Sequence, residues 1–119
     1  MDSRLLDELL PPSLPNSVVI GASSPCVRHA VEIIATEFHL QLTATVVASR
    51  VRCSRAYLST IFRMQLGMTV HDCLTEVRVM HANRLIKSGM KVEAVAIAIG
   101  CRSKTSLYRQ LRGHASLEI

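Results

Sequence analysis

Apolar residues recur at helical spacing in six segments of the chain, each bounded by a capping or helix-breaking residue. The first segment predicts a helix from about Pro25 to His39, with Ser24 as its N-cap. The second predicts a helix that begins near Thr43. The first helix is expected to form core scaffold. The second is expected to carry Val46, Val47 and Val51 inward, with Ala48 at a close contact between helices.

Two longer amphipathic segments follow. Ser54 is placed to cap a third helix, which ends at Gly67 and whose apolar residues are spaced i, i+3, i+4 and i+8. Thr69 is placed to cap a fourth helix that runs to about Lys87, with basic residues at its end as the helix dipole favours. The apolar side of this fourth helix consists of Val70, Cys73, Leu74, Val77, Met80, Ala82 and Leu85.

Two shorter segments end the pattern. A fifth helix is predicted over residues 92–99, with a turn at Gly100, and Ser103 is placed to cap a sixth helix that carries Leu107 and Leu111 inward. Aromatic residues make up only 3% of the chain and Trp is absent, so the core must be aliphatic. Such a core suits packed helices better than a β-sandwich. The predicted fold class is all-α.

Residues 1–25 stand apart from this pattern. Their leucines allow one or two amphipathic turns, which Pro11, Pro12 and Pro15 interrupt before a linker that begins at Gly21. A disordered or loosely packed tail is predicted here, with a docking peptide or partner helix as the alternative. The chain is therefore divided into a tail, 1–25, and one domain, 26–119.

Positive charge is concentrated where the last five helices are predicted. The whole chain has a net charge of +5, but residues 43–112 carry twelve Lys or Arg against three acids, a balance of +9. Such a field attracts nucleic acid or an anionic membrane surface, although a charged, solvated face explains it equally well. No apolar run approaches the roughly 18–20 residues that span a bilayer, and the acidic N-terminus does not resemble a secretory signal. A cytoplasmic location is expected.

The cysteines and histidines predict neither a cofactor nor a metal site. The four cysteines lie far apart without a Cys-x-x-Cys pair and are expected to be reduced, buried, small hydrophobic residues. His71, Cys73 and His81 come nearest to a metal cluster, but their spacing fits no zinc pattern. No nucleophile–base–orienter set and no glycine-rich phosphate loop can be identified, so an enzyme is not expected.

The chain contains an internal repeat. The first copy, Ala48, Val51 and Cys53, recurs 48 positions later as Ala96, Ile99 and Cys101. One extra residue, Arg102, then shifts the offset to 49, at which Ser54, Leu58, Phe62 and Arg63 correspond to Ser103, Leu107, Leu111 and Arg112. Each copy is a short helix, a tight turn and a capped helix, which is the helix-turn-helix arrangement. The apolar side of the second helix packs inward, which leaves its front to enter a major groove about 12 Å wide.

The two copies and the helix between them resemble the DNA-binding domain of the AraC/XylS family over roughly residues 26–115. In the first unit the resemblance lies in Ala48, Val51, Ser54, Tyr57, Leu58, Phe62, Arg63, Gly67 and Thr69. Elsewhere it lies in Arg78, Ala82, Arg84, Leu85, Ala96, Ile99, Gly100, Ser103, Leu107, Arg109 and Arg112. The resemblance implies two helix-turn-helix units joined by a long central helix, and a bacterial transcription factor that binds double-stranded DNA sequence-specifically.

The chain departs from the family pattern at several positions. Arg52 takes the place of the usual glycine in the first turn, so a strained or rebuilt turn is expected there. Cys101 and Leu111 replace phenylalanines, which is expected to lighten the packing of the second unit. Ser116 stands where glycine is usual, and Ile119 lies near a usual proline. The family's final helix and its effector-binding domain are expected to be absent, so no small-molecule effector is expected.

The resemblance also assigns the residues expected to contact DNA. Arg109 is the candidate for a bidentate contact to guanine O6 and N7, whereas Arg63 and Arg112 are expected to reach phosphates. Ala56 and Thr60 are small enough to meet thymine methyl groups. The complete set is Arg55, Ala56, Ser59, Thr60, Arg63, Lys104, Thr105, Ser106, Tyr108, Arg109 and Arg112.

A second class of function stays open at this point. A truncated regulator can act through protein contacts, by sequestering a full-length regulator or by contacting RNA polymerase. Such a protein needs no basic front on its third and sixth helices, and this front is present, so DNA binding is the prediction. A single chain with two units is expected to bind DNA as a monomer and to associate with the nucleoid.

Overall fold

The computed structural model describes residues 8–12, 14, 19, 21, 24–101 and 103–112. These residues contain no strand, and the all-α fold class is confirmed. The predicted helices agree with the observed ones to within about two residues at their ends. The helices from residue 24 onward are α1 (Pro25–Glu37), α2 (Ala44–Arg50), α3 (Arg55–Leu66), α4 (Val70–Lys87), α5 (Val92–Ala98) and α6 (Lys104–Arg112).

Hydroxyl side chains begin most of these helices, as predicted. Thr43 and Ser54 each accept a hydrogen bond from the backbone amide three residues further on, at 3.2 and 3.1 Å. At the start of α4, Thr69 accepts from the amide of Asp72 at 3.0 Å, and the Asp72 carboxylate accepts from the amide of Thr69 at 3.3 Å. This capping box satisfies two amides that the helix leaves unpaired. Ser24 occupies the N-cap position of α1, but its side chain makes no capping hydrogen bond.

The core consists of two apolar clusters, and α4 contributes to both. The start of α4 packs with α1, α2 and α3, and its middle packs with α5 and α6. Phe38, which follows α1, is partly buried against both clusters. Fully buried side chains of the first cluster include Val27, Val31, Ile34, Val47, Leu58, Phe62 and Val77. Those of the second cluster include Ala82, Val95, Ile99, Leu107 and Leu111.

The N-terminal segment packs more closely than predicted. Leu10, Leu14 and Val19 are buried in the first cluster, and Arg84 donates to the backbone carbonyl of Glu8 at 2.7 Å. For these residues the prediction of a disordered or loosely packed tail is wrong, because their apolar side chains pack against the helical domain. Leu5, Leu6 and Pro15 lie outside the described residues. The boundary between tail and domain at residue 25 stays a prediction.

Two further expectations about the core are wrong. Val46 was expected to face inward but is 40% exposed, because α2 spans only two turns and its buried stripe is limited to Val47 and Ala48. Cys73 and Cys101 are buried as expected, whereas Cys26 and Cys53 are only half-buried. Burial raises the pKa of the Cys73 thiol to about 12, with a smaller contribution from the neighbouring Glu76 and Asp72 carboxylates.

Candidate nucleic-acid interface

The first helix-turn-helix unit consists of α2, a tight turn and α3. The amide of Cys53 donates back to the carbonyl of Ala48 at 2.9 Å and closes the turn. Within this turn Arg52 has a φ of 59°, in the left-handed region that glycine usually occupies. The strained turn expected at Arg52 is confirmed. Leu58 and Phe62 then fix α3 to the core, since both are fully buried.

The second unit, α5 and α6, repeats this turn. The amide of Cys101 donates to the carbonyl of Ala96 at 2.8 Å, and Gly100, at the position equivalent to Arg52, has a φ of 86°. Ser103 caps α6 by accepting a backbone amide at 3.2 Å, as the equivalent serine does in α3. The predicted repeat is therefore confirmed as two units with the same turn hydrogen bonds. The extra residue 102 lies outside the described residues.

The outward face of α3 carries five of the residues assigned to DNA contact. Three of them line one shallow depression together with Met64 and Thr69. Met64 is 80% exposed. It is not among the residues predicted to contact DNA, because a methionine in an amphipathic helix is usually counted as core. Its position one turn after Thr60 is the signal that places it on the outward face. The five exposed residues are Arg55, Ala56, Ser59, Thr60 and Arg63.

On the outward face of α6, fewer of the residues assigned to DNA contact are exposed than on α3. Lys104, Thr105 and Arg109 are exposed. Ser106 and Tyr108 are half-buried, and Tyr108 packs against the second cluster. These two side chains therefore offer less surface to DNA than the others. The backbone of Arg112 belongs to α6, and its side chain lies outside the described part of the chain.

Several basic residues are occupied by contacts within the protein. Arg50 forms an ion pair with Glu37, which lowers the pKa of that carboxyl. Lys104 lies 3.3 Å from the Glu93 carboxylate, and the pKa of Glu93 is lowered first by a hydrogen bond from its own backbone amide and then by Lys104. Both pairs are exposed and contribute little to stability.

Three arginines on the outward faces of α3 and α6 are not paired in this way. None of the described residues forms an ion pair or hydrogen bond with Arg55, Arg63 or Arg109, and all three side chains are exposed. Each guanidinium carries five donors that match phosphate or guanine acceptors. The outward faces of α3 and α6 therefore carry cations that are available to a polyanion.

The loop between α1 and α2 joins the two units. Arg78 of α4 donates to the carbonyls of Phe38 and Leu40 at 2.8 and 2.7 Å, and burial lowers the pKa of this guanidinium. Gly100 of the second turn approaches the same loop so closely that an added Cβ would lie 2.5 Å from the carbonyl oxygen of His39. Gln41 donates to the carbonyl of Gly100 at 3.3 Å. These contacts set how the second unit sits against the first.

The described residues contain neither a metal cluster nor a helix suited to crossing a membrane. No group of three or more His, Cys, Asp or Glu side chains in these residues is placed to hold a metal ion. Among the described helices, none combines the length and the apolar character that crossing a membrane requires.

Comparison with known proteins identifies the same domain. Residues 47–117 match the family described as "Helix-turn-helix domain". The chain is 31% identical over 70 residues to the lactose operon transcription activator of Staphylococcus xylosus, and it spans only about a quarter of that protein's length. The match covers 59% of this chain.

Solved structures share the fold. The C-terminal domain of AraT, a response regulator from Geobacillus stearothermophilus, superposes with a TM-score of 0.69 at 26% identity, covering 75% of this chain and 78% of that one. The C-terminal domain of the two-component response regulator yesN from Fusobacterium nucleatum gives a TM-score of 0.72 at 21% identity, covering 80% and 100% of the two chains.

The family match covers more than half of the chain, and the fold, the two repeated turns and the exposed basic faces agree with it. Such a domain binds DNA and is not an enzyme, as the sequence predicted. The chain therefore belongs to the AraC-type helix-turn-helix family of DNA-binding transcription regulators.

Proposed function

We propose that this protein regulates transcription by placing α3 and α6 in two successive major-groove segments of double-stranded DNA. The observation that carries the proposal is the pair of equivalent turns, each followed by a capped helix that packs on its own apolar cluster, with α4 contributing to both clusters. Both helices present exposed polar side chains and arginines without a described protein partner. A helix in this setting presents base-contacting side chains to the major groove.

The arginines divide into two roles in this proposal. Arg109 lies on the outward face of α6, where a bidentate contact to guanine O6 and N7 specifies one base pair. Arg63 lies near the end of α3, where it lines the shallow depression with Thr60 and Met64, and is assigned to a phosphate. Phosphate contacts position the protein on any sequence, whereas base contacts select one.

Alanine variants test this division. A binding sequence is first selected from a pool of random duplexes, and affinities are then measured on the selected and a scrambled duplex at two salt concentrations. Arg109→Ala is expected to weaken the selected duplex by about 1–3 kcal/mol and to relax selection at one base pair. Arg63→Ala is expected to weaken both duplexes nearly equally and to reduce the salt slope by about one. Arg28→Ala, at an exposed arginine of α1 that is not among the residues assigned to DNA contact, serves as the control.

If Arg109→Ala weakens binding to both duplexes equally, the assignment of α6 to base contacts is wrong. The first unit would then carry whatever specificity exists.

Salt dependence separates DNA binding from a purely protein-binding role. The balance of +9 over residues 43–112 is consistent with some five to nine phosphate contacts. Counterion release then gives a log–log slope of affinity against salt of roughly −4 to −8. A slope near zero would favour the alternative, a regulator that acts by binding other proteins.

The stoichiometry is part of the same proposal. Two major-groove segments on one DNA face lie about 34 Å apart, so one chain is expected to protect an asymmetric site of about two turns. We propose that the monomer associates with the nucleoid and contacts RNA polymerase when bound. Footprinting combined with sedimentation of the complex tests the monomer, since a palindromic footprint held only by a dimer would contradict it.

A further inference from the structure

Two cysteines meet at the turn of the first unit. The sulfur atoms of Cys26 and Cys53 lie 2.8 Å apart, and both thiols are free and half-buried. Both are also within 3.9 Å of the backbone carbonyl oxygen of Val51, at the end of α2. Cys26 belongs to the first turn of α1, and Cys53 directly precedes Ser54, the cap of α3. The pair therefore joins the start of α1 to the start of α3.

We propose that Cys26 and Cys53 form a redox modification site, at which a hydroperoxide oxidises the two thiols to an intramolecular disulfide and a low-molecular-weight thiol reduces it again. The equivalent position in the second unit has no such pair of thiols. Cys101 occupies the position equivalent to Cys53, but its sulfur accepts a hydrogen bond from Gln110 at 3.3 Å instead of meeting a thiol. This inference does not depend on DNA binding.

The oxidation proceeds in two steps that balance. The thiolate of Cys26 attacks one oxygen of the hydroperoxide, the O–O bond breaks, and the alcohol or water leaves after taking a proton, which leaves a sulfenic acid on Cys26. The sulfur of Cys53 then attacks the Cys26 sulfur, the S–O bond breaks, and hydroxide leaves as water with the proton of Cys53. Reduction reverses the change at the expense of two external thiols, which become a disulfide.

The surroundings of the two sulfurs favour this order. The hydrogen bond with Cys26 raises the pKa of Cys53, and burial raises it further, which favours the protonated form of the Cys53 thiol. Cys26 lies in the first turn of α1, close to the backbone amides that the start of a helix leaves unpaired. The buried Cys73, whose pKa is raised to about 12, is a poor competitor for the oxidant.

The disulfide would hold the first unit's turn in place. It closes a loop between residues 27 positions apart and so restricts the unfolded chain. Since the sulfurs are already adjacent, the bond forms with a small shift of the folded chain. Oxidation is therefore expected to stabilise the fold, and with it the turn that contains Arg52. Reducing cytosolic conditions open such a bond again, which suits a sensor rather than a permanent crosslink.

The test uses the full chain treated with hydrogen peroxide. We expect the loss of two hydrogen atoms per chain, a peptide map that links Cys26 to Cys53, and complete reversal by dithiothreitol. The Tm of the oxidised chain is expected to rise by roughly 10 °C or more. Cys26→Ser and Cys53→Ser should each abolish the crosslink and the rise in Tm. Cys101→Ser, the matched control from the second unit, should retain both.

A sulfenic acid probe assigns the roles of the two thiols. In Cys53→Ser, a cyclic 1,3-dione added with the peroxide is expected to label Cys26. Three results would overturn the proposal: crosslinks only between chains, oxidation of Cys73 or Cys101 in preference to the pair, or a Tm that does not rise on disulfide formation. Stronger labelling of Cys53 in Cys26→Ser would overturn the proposed order of attack.

Discussion

Replacing Gly100 by alanine is expected to destabilise the protein by about 1–4.5 kcal/mol, the sum of two separable unfavourable effects less a smaller favourable one. The φ of 86° disfavours a residue with a Cβ by roughly 1–2 kcal/mol. The new Cβ would also lie 2.5 Å from the carbonyl oxygen and 2.8 Å from the carbonyl carbon of His39. Backbone atoms cannot rotate away, so the loop must shift, which costs about 1–3 kcal/mol. A stiffer unfolded chain offsets roughly 0.4–1 kcal/mol of the total.

Gly89 provides a matched control for the backbone term. Its φ is 94°, close to that of Gly100, but an added Cβ would meet no atom within 4 Å. Gly89→Ala is therefore expected to cost about 0.5–1.5 kcal/mol, from backbone strain alone. The difference between the two variants isolates the contact of Gly100 with His39.

Urea unfolding followed by circular dichroism measures both variants, and an unchanged m-value shows that the midpoint shift reflects stability. Equal free energies of unfolding for Gly100→Ala and Gly89→Ala would refute the close contact. The second turn would then not be packed against the α1–α2 loop.

Three further changes test neighbouring parts of the structure. Arg52→Gly is expected to stabilise the protein by about 0.5–1 kcal/mol in urea unfolding, because relief of the left-handed φ outweighs the greater freedom of the unfolded chain; a loss of stability would contradict the strained turn. Arg78→Ala is expected to cost about 2–4 kcal/mol, because the carbonyls of Phe38 and Leu40 lose a charged donor, and a value near zero would contradict that role. Burial, and then the charge of Arg84, lowers the pKa of His81, so the unfolded chain binds the proton more readily. Stability should be complete above the unfolded pKa of about 6.5 and fall as the pH drops below it, and His81→Gln should flatten this slope in thermal unfolding.

Much of the fold could be predicted because the decisive signals are local. The offset of 48 between Ala48 and Ala96 predicted two equivalent turns, and the same backbone hydrogen bond closes both. A turn of this kind is determined by a few consecutive residues: a small one in the first helix, one with a left-handed φ and a hydroxyl cap. The strain at Arg52 could be predicted because a turn position with a left-handed φ usually carries glycine.

The features that escaped prediction depend on contacts between distant segments. Cys26 and Cys53 are 27 positions apart, and nothing in that spacing indicates that their sulfurs meet. Leu14 lies among prolines, which stop a helix but do not prevent an apolar side chain from packing against one. The half-buried state of Tyr108 also depends on the second cluster, whereas Tyr108 was assigned to the DNA-contacting face from the resemblance to the family.

The sharing of α4 between the two clusters has a consequence for the DNA sites this protein can use. Because Val77 belongs to one cluster and Ala82 to the other, the angle between α3 and α6, the two helices proposed to enter the major groove, is set inside the protein. DNA turns through about 34–36° for each base pair, so one inserted pair rotates half of the site away from its helix. The duplex must then twist or bend to restore the contact, at an energy that depends on its sequence. An operator for this protein is thus expected to depend on the spacing between its two halves as well as on the bases within each half.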